Sequence, residues 1–244
     1  MMFVISGDTP MTAAEIVEEL RPLGQESYRK VIRNHGASDP MFGVKIEHLK
    51  KIQKRVKKDF QLALDLYDTG NYDCMYLAGL IADDERMTKK DLQKWVEDAC
   101  LPLCTSTVPW VAAEGRFGHE IALKWIDSKK ENIAAAGWST HGCLVALKDD
   151  ADLDMVDLKK LLDRVKTTIH EQPNRVRYQM NSFIIAVGCY VAPLTADALK
   201  TAAAIGKVSV DMGGTACKVP SAADYIDKVK KRGMLGKKRK TVKC

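Results

Sequence analysis

Long apolar runs are missing from this chain of 244 residues. The longest, Phe183 to Leu194, spans 12 residues, whereas a bilayer-spanning helix needs about 20. The opening Met-Met-Phe-Val-Ile-Ser-Gly-Asp-Thr-Pro has too short an apolar stretch, and no basic start, for a secretory leader. A soluble protein without a membrane partner is therefore expected. Cysteine pairing is also missing. The seven cysteines (74, 100, 104, 143, 189, 217 and 244) are odd in number and scattered, with no Cys-x-x-Cys pair. Cys100 and Cys104 have helix-face spacing, not metal-knuckle spacing. Buried reduced thiols are expected, and neither a metal nor a cofactor. Strand alternation is lacking too: Lys207-Val-Ser-Val-Asp211 is the one candidate, and it is too short to build a sheet.

Motifs for nucleotide and hydrolytic chemistry are equally absent. The chain has no phosphate-binding Gly-rich loop and no Gly-x-Ser-x-Gly. His119-Glu120 has no second histidine at zinc-protease spacing. Asp150-x-Asp152-x-Asp154 opens like a calcium loop. However, Met155 takes the place of the required glycine and Leu161 that of the final bidentate acid.

Helical periodicity fills the space left by these absences. Hydrophobic residues make up 46 % of the chain, but aromatics only 7 %, a balance that leans helical. Thr12 with Glu15 forms a capping box. Thr88 with Asp91, Asp154 with Asp157 and Ser221 with Asp224 repeat the signal with aspartate. After the Thr12 cap, Ile16, Val17 and Leu20 form one helix face, and further helices are expected at about 27–34, 44–60, 61–68, 72–82, 88–100, 108–114, 119–127, 131–147, 154–169, 174–191, 195–205 and 221–232. Many have an apolar face too broad to stand alone. Antiparallel pairs stacked in an all-α, HEAT-like solenoid would bury those faces, and a compact irregular bundle is the alternative. The expected division is a flexible start at 1–11, a repeat domain at 12–205, and an irregular loop with a capping helix at 206–232. A basic tail at 233–244 completes it. Gly206, Gly213, Gly214 and Pro220 mark the loop.

Charge is concentrated at the end. Between Lys228 and Lys243 stand nine Lys or Arg and no Asp or Glu. Removing these nine from the total of 38 leaves 29 basic against 32 acidic residues, so the basic pI belongs to one segment. A polyanion is the simplest partner, because each neutralised phosphate releases a counterion. A solvated tail and an anionic membrane or protein are the other readings. Lys237, Lys238, Arg239 and Lys240 form the densest run, and also a nuclear address if the host is eukaryotic. A second basic feature lies on the 44–60 helix. There Lys51, Lys54, Arg55 and Lys58 share a stripe opposite Leu49, Ile52, Val56 and Phe60. Such a stripe suits either a phosphate backbone or plain solvent.

Trp110 and Glu114 lie one turn apart and so share a helix face. An indole beside a carboxylate suits a developing positive charge; a packed Trp with a surface Glu is the simpler reading.

Taken together, these residues resemble the DNA alkylation repair family of HEAT-like repeat proteins, the AlkD-like alkylpurine DNA glycosylases and their relatives. Three segments carry the resemblance: Phe42-Gly-Val-Lys45 leading into Leu49-Lys-Lys-Ile52, Trp110 with its acid four residues on, and the block from Lys207 to Pro220 followed by Tyr225-Ile226 and Gly236-Lys-Lys-Arg-Lys-Thr241. The similarity runs from about 12 to 241. It implies a concave helical solenoid that holds duplex DNA by its backbone. It also implies excision of N3- and N7-alkylated purines without drawing the base into a pocket. By position, Trp110 matches a cleft tryptophan, and Glu114 stands where active members carry Asp. Trp138 opens the next cleft helix, but Ser139-Thr140-His141 replaces the arginine that follows it there. A further cleft tryptophan of the family, expected in the 174–191 helix, falls near Ala186 and is lost here. The resemblance thus implies catalytic positions at Trp110, Glu114, Trp138 and His141. DNA contacts fall at Lys51, Lys54, Arg55, Lys58 and 237–240. Two functions remain open: an alkylpurine glycosylase, or a non-catalytic nucleic-acid- or protein-binding scaffold. The protein is expected to act as a monomer in the cytoplasm, near the nucleoid, or in the nucleus of a eukaryote.

Overall fold

The computed structural model describes residues 11–244, and the flexible start expected at 1–11 falls almost wholly outside them. Fourteen α-helices and no strand occur among the described residues. They gather into two compact units. The first runs through Ile32 and again from Ser38 to Asp83; the second holds Arg33–Ala37 and Asp84–Cys244.

The first unit contains α1 (Ala13–Leu20), most of α2 (Glu26–Asn34), α3 (Ile46–Val56), α4 (Phe60–Asp68) and α5 (Tyr72–Ile81). The Thr12–Glu15 capping box forms as expected, with both reciprocal bonds present. The expected helix at 44–60 is shorter. It stops at Val56 because Lys57 turns into the left-handed region, with φ of 64°. Asp59 then caps α4 by accepting from the Leu62 amide. Lys58 therefore stands in the connection and leaves the stripe on which sequence spacing put it.

A buried carboxylate organises this unit. Asp73, at the start of α5, is fully buried. Its Oδ2 accepts from the amides of Phe42 at 2.7 Å and Gly43 at 3.0 Å, and its Oδ1 from Val44 at 2.8 Å. Charge-assisted bonds of this kind are strong, and the three amides have no water to fall back on. Gly43 has φ of 81°, and a Cβ there would meet Arg29 Cγ at 2.3 Å and Gln25 O at 2.7 Å, so only glycine fits the loop that Asp73 caps.

The second unit contains α6 (Lys89–Asp98), α7 (Leu101–Cys104), α8 (Thr107–Glu114), α9 (Gly118–Ile126) and α10 (Glu131–Leu147). It continues with α11 (Met155–Thr168), α12 (Asn174–Tyr190), α13 (Thr195–Ile205) and α14 (Ala222–Lys231). The caps at Thr88, Asp154 and Ser221 all form. Helix α10 packs against α8, α9 and α12, and α12 against α13 and α14. The Ala134-Ala-Ala-Gly137 run lets the α9–α10 backbones approach closely: a Cβ at Gly137 would meet Ile126 N at 2.6 Å. The candidate strand at 207–211 is irregular chain, since it has no partner edge to pair with. No single helix among the described residues is long and apolar enough to cross a membrane.

Replacing Asp73 with Ala should destabilise the protein by at least about 3 kcal/mol, because three buried donors lose their acceptor. Asp73→Asn should cost about half as much, since one oxygen survives. Urea titration of the two variants, with slopes compared to wild type, checks the order.

Candidate nucleic-acid interface

In the first unit, Leu49 and Ile52 point α3 into the core. Lys51, Lys54 and Arg55 are exposed in consequence, as is Lys58 beyond the helix end. Arg55 donates to Glu19 across the surface. Lys51 and Lys54 have no side-chain partner among the described residues, so their charges face solvent. This helix face offers two adjacent free ammonium groups for phosphates.

The second unit builds the tryptophan site. Trp110 and Glu114 lie on α8, Trp138 and His141 on α10. A small cavity of about 200 Å³ is lined by Trp110, Trp138, Ser139, Gln179, Tyr190 and Arg239 among others. Trp110 is half-buried at this wall. Trp138 is only 1 % exposed. Its ring lies 5.4 Å from that of Phe183 and under the guanidinium of Arg164, 5.8 Å from Cζ to centroid. It is a core side chain with a cation on its face.

His141 is 2 % exposed and packs among Trp138, His119 and Phe183. Burial pushes its imidazole down to about 3; His119 and Arg164 add to the effect and Asp157 opposes it. The residue that stands where the resemblance places an arginine is therefore neutral near pH 7.

The basic tail takes an unexpected position. The Gly236 amide donates to Cys189 O at 2.8 Å, and the Arg239 amide to Ala146 O at 2.8 Å. Lys238 Nζ pairs with Asp150 at 2.8 Å and donates to Val145 O at 3.0 Å. Thr241 Oγ1 donates to Glu114 Oε1, and the Val242 amide donates to the same oxygen at 2.9 Å. Val242 is buried, and Lys243 forms a 2.7 Å ion pair with Asp84, which is 2 % exposed. The tail is thus a strap docked on the tryptophan site, and Glu114 is one of its anchors. Spacing along the chain gave no sign of this, because every partner lies far back in the chain, from Cys189 before Gly236 to Asp84 before Lys243. The only sequence signal was a threonine and a valine ending an otherwise cationic run.

Burial and two charges bear on Cys143 beside this cavity. Burial pushes its thiol up to about 12, Glu114 adds to that, and Arg239 works against it. Arg239 and Glu114 therefore both act on one wall of the site. Among the described residues, no cluster of three His, Cys, Asp or Glu is spaced to hold a metal ion.

His141 also carries a pH signature. Its folded pKa lies below the unfolded value of about 6.5, so the unfolded chain binds more protons between about pH 6.5 and 3. The stability tied to neutral His141 is present above pH 6.5 and is lost as pH falls through that window. Its slope should approach 1.4 kcal/mol per pH unit below pH 6. In His141→Phe, urea titrations between pH 7 and 5 should lack this slope.

Comparison with known proteins then places the chain. Residues 16–211 match the family model described as "DNA alkylation repair enzyme". An uncharacterized protein of Listeria innocua is 32 % identical over 229 residues, covering 91 % of this chain and 99 % of its own. An uncharacterized protein of Listeria monocytogenes matches with the same figures. A solved structure is 35 % identical with a TM-score of 0.89, over 96 % of this chain and 100 % of its own. That structure is described as one of a new family of proteins related to the HEAT-like repeat DNA glycosylases with affinity for branched DNA structures. The all-α fold is accordingly the HEAT-like repeat expected from the helix pattern. By both its sequence and its fold, the chain belongs to the DNA alkylation repair enzyme family of HEAT-like repeat proteins.

Proposed function

We propose that this protein binds branched DNA through its backbone and does not excise alkylated bases. One observation carries the reading: Glu114, the carboxylate at the excision position, is the anchor of the C-terminal strap. Excision needs a carboxylate within hydrogen-bond reach of the sugar or of an attacking water. Here Oε1 already accepts two donors from the strap. Glu is also one methylene longer than Asp, and misplacement by about 1 Å is worth on the order of 100-fold in rate. Trp138 presents no free face, and neutral His141 offers no charge to a phosphate.

DNA affinity is supported separately. Lys51 and Lys54 are free on one unit, and Lys237, Arg239 and Lys240 are exposed on the other. The structural relative with affinity for branched DNA shares this fold over nearly its whole length. The sequence carries no base-reading motif such as zinc-finger spacing, so the contacts are expected to be sequence-tolerant. A junction bends its arms and brings more phosphates within reach of one surface than a straight duplex does. Excision is the second reading, and the pairing of Trp110 with Glu114 on one helix face favours it.

Binding to a four-way junction, a fork and a duplex of equal length tests the proposal by fluorescence anisotropy. The junction should bind at least about tenfold more tightly than the duplex, a margin of about 1.4 kcal/mol. Log affinity should fall against log salt with a slope near 0.9 per phosphate contacted. Methylated duplex held with excess protein should release no 7-methylguanine or 3-methyladenine above background. Release that disappears in Glu114→Gln would instead establish the second reading.

A further inference from the structure

The strap from Gly236 to Lys243 divides its cations into two sets. Lys238 and Lys243 turn inward. Lys238 pairs with Asp150 with 15 % of its side chain exposed, and Lys243 with Asp84 at 9 %. Both charges are balanced inside the protein. Lys237, Arg239 and Lys240 turn outward, and none has a carboxylate partner among the described residues.

Arg239 differs from the two lysines beside it. Its amide is tied to Ala146 O at 2.8 Å, so its backbone is held against the end of α10. Its side chain borders the cavity lined by Trp110 and Trp138. Cys143 lines the same cavity. An exposed guanidinium at the mouth of an aromatic-walled cavity is a planar fork for a phosphate. The restraint continues on both sides. Gly236 is tied to Cys189 before it; Thr241 and Val242 are tied to Glu114 after it; Lys243 is clamped by Asp84 beyond.

We infer that Arg239 is a phosphate-binding residue for DNA at the tryptophan cavity, and that Glu114 is a positioning residue that holds it there through the strap. This rests on the DNA-binding reading above. A chain end without anchors would lose conformational freedom on meeting DNA, which weakens binding. A strap already fixed at 236, 239, 241, 242 and 243 avoids most of that loss. Glu114 then acts on DNA without touching it.

The test compares junction affinity and its salt slope for wild type, Arg239→Ala, Arg239→Lys, Glu114→Ala and the chain ending at Lys240. Arg239→Ala should weaken binding about tenfold and lower the slope by about 1. Arg239→Lys should keep the slope, because the charge remains, and lose part of the affinity, because the fork is gone. The chain ending at Lys240 retains Arg239 and the ties at 236 and 239 but lacks the anchors at 241, 242 and 243. It should lose part of the affinity that Arg239→Ala loses. Deleting Lys243 also leaves Asp84 unpaired, so the shortened chain is measured with Asp84→Asn as well, and a loss that persists there is due to the missing anchors and not to charge. Glu114→Ala should match the shortened chain, and Glu114→Gln, which keeps an acceptor oxygen, should recover part of the affinity. Melting curves establish that each variant is folded; if Glu114→Ala is not, the shortened chain decides the positioning role. Wild-type affinity and slope in Arg239→Ala would overturn the inference. Wild-type affinity in the shortened chain alone would overturn the role given to Glu114. Absence of any DNA binding by the wild-type protein would remove the DNA-binding reading, and this inference with it.

Discussion

Close packing along α10 is the constraint on which the tryptophan site depends. This helix has no exposed residue, and a run of small residues from Ala134 to Gly137 lies just before Trp138. Ala134, Ala135, Ala136 and Gly137 let α9 approach to backbone distance. The second half then carries Trp138, Thr140 and His141 into the core between α9 and α12. A helix so enclosed cannot rotate, because any rotation would drive an indole into a neighbouring backbone. The wall of the cavity is therefore rigid. Its polar members must find partners inside the protein or remain neutral, as His141 does.

Against that wall the C-terminal strap behaves as an added structural element. It has no regular secondary structure, yet its backbone and side chains make hydrogen bonds to Ala146, Cys189, Val145 and Glu114. Two of its lysines meet aspartates in partly or fully dry surroundings. Such pairs gain little net stability over an apolar alternative, but losing one partner is costly. They fix where the strap lies more than how strongly the protein folds. The same carboxylate that excision chemistry would need is thereby held by the chain itself. On the proposed function, family membership and chemical activity separate at this point, since a fold is shared more widely than a working site.

Much of the helical layout could be read along the chain. Thr12, Thr88, Asp154 and Ser221 are short polar side chains at helix starts, and local geometry alone decides that they cap. The bounds of the helices at 131–147 and 195–205 follow from periodicity that stays within one segment. The expected helix at 44–60 ran too long because its charge and apolar stripes continue past Val56. The turn of Lys57 to φ of 64° breaks them, and nothing in side-chain type announces that turn. In the site, the shared face of Trp110 and Glu114 was legible because it needs only one helical turn. Lys58 was misplaced for the same reason that the helix was.

The sequence by itself determined the all-α class, the caps, the basic stripe on α3 and the concentration of charge at the C-terminus. Each of these arises from neighbours within about four positions, where backbone geometry is known once the helix is known. The tertiary structure alone decided which charges remain available. It buried His141 and Trp138, paired Lys238 and Lys243 with acids far back in the chain, and set Glu114 under the strap. Burial and long-range pairing depend on which surfaces meet, and helical periodicity does not encode that.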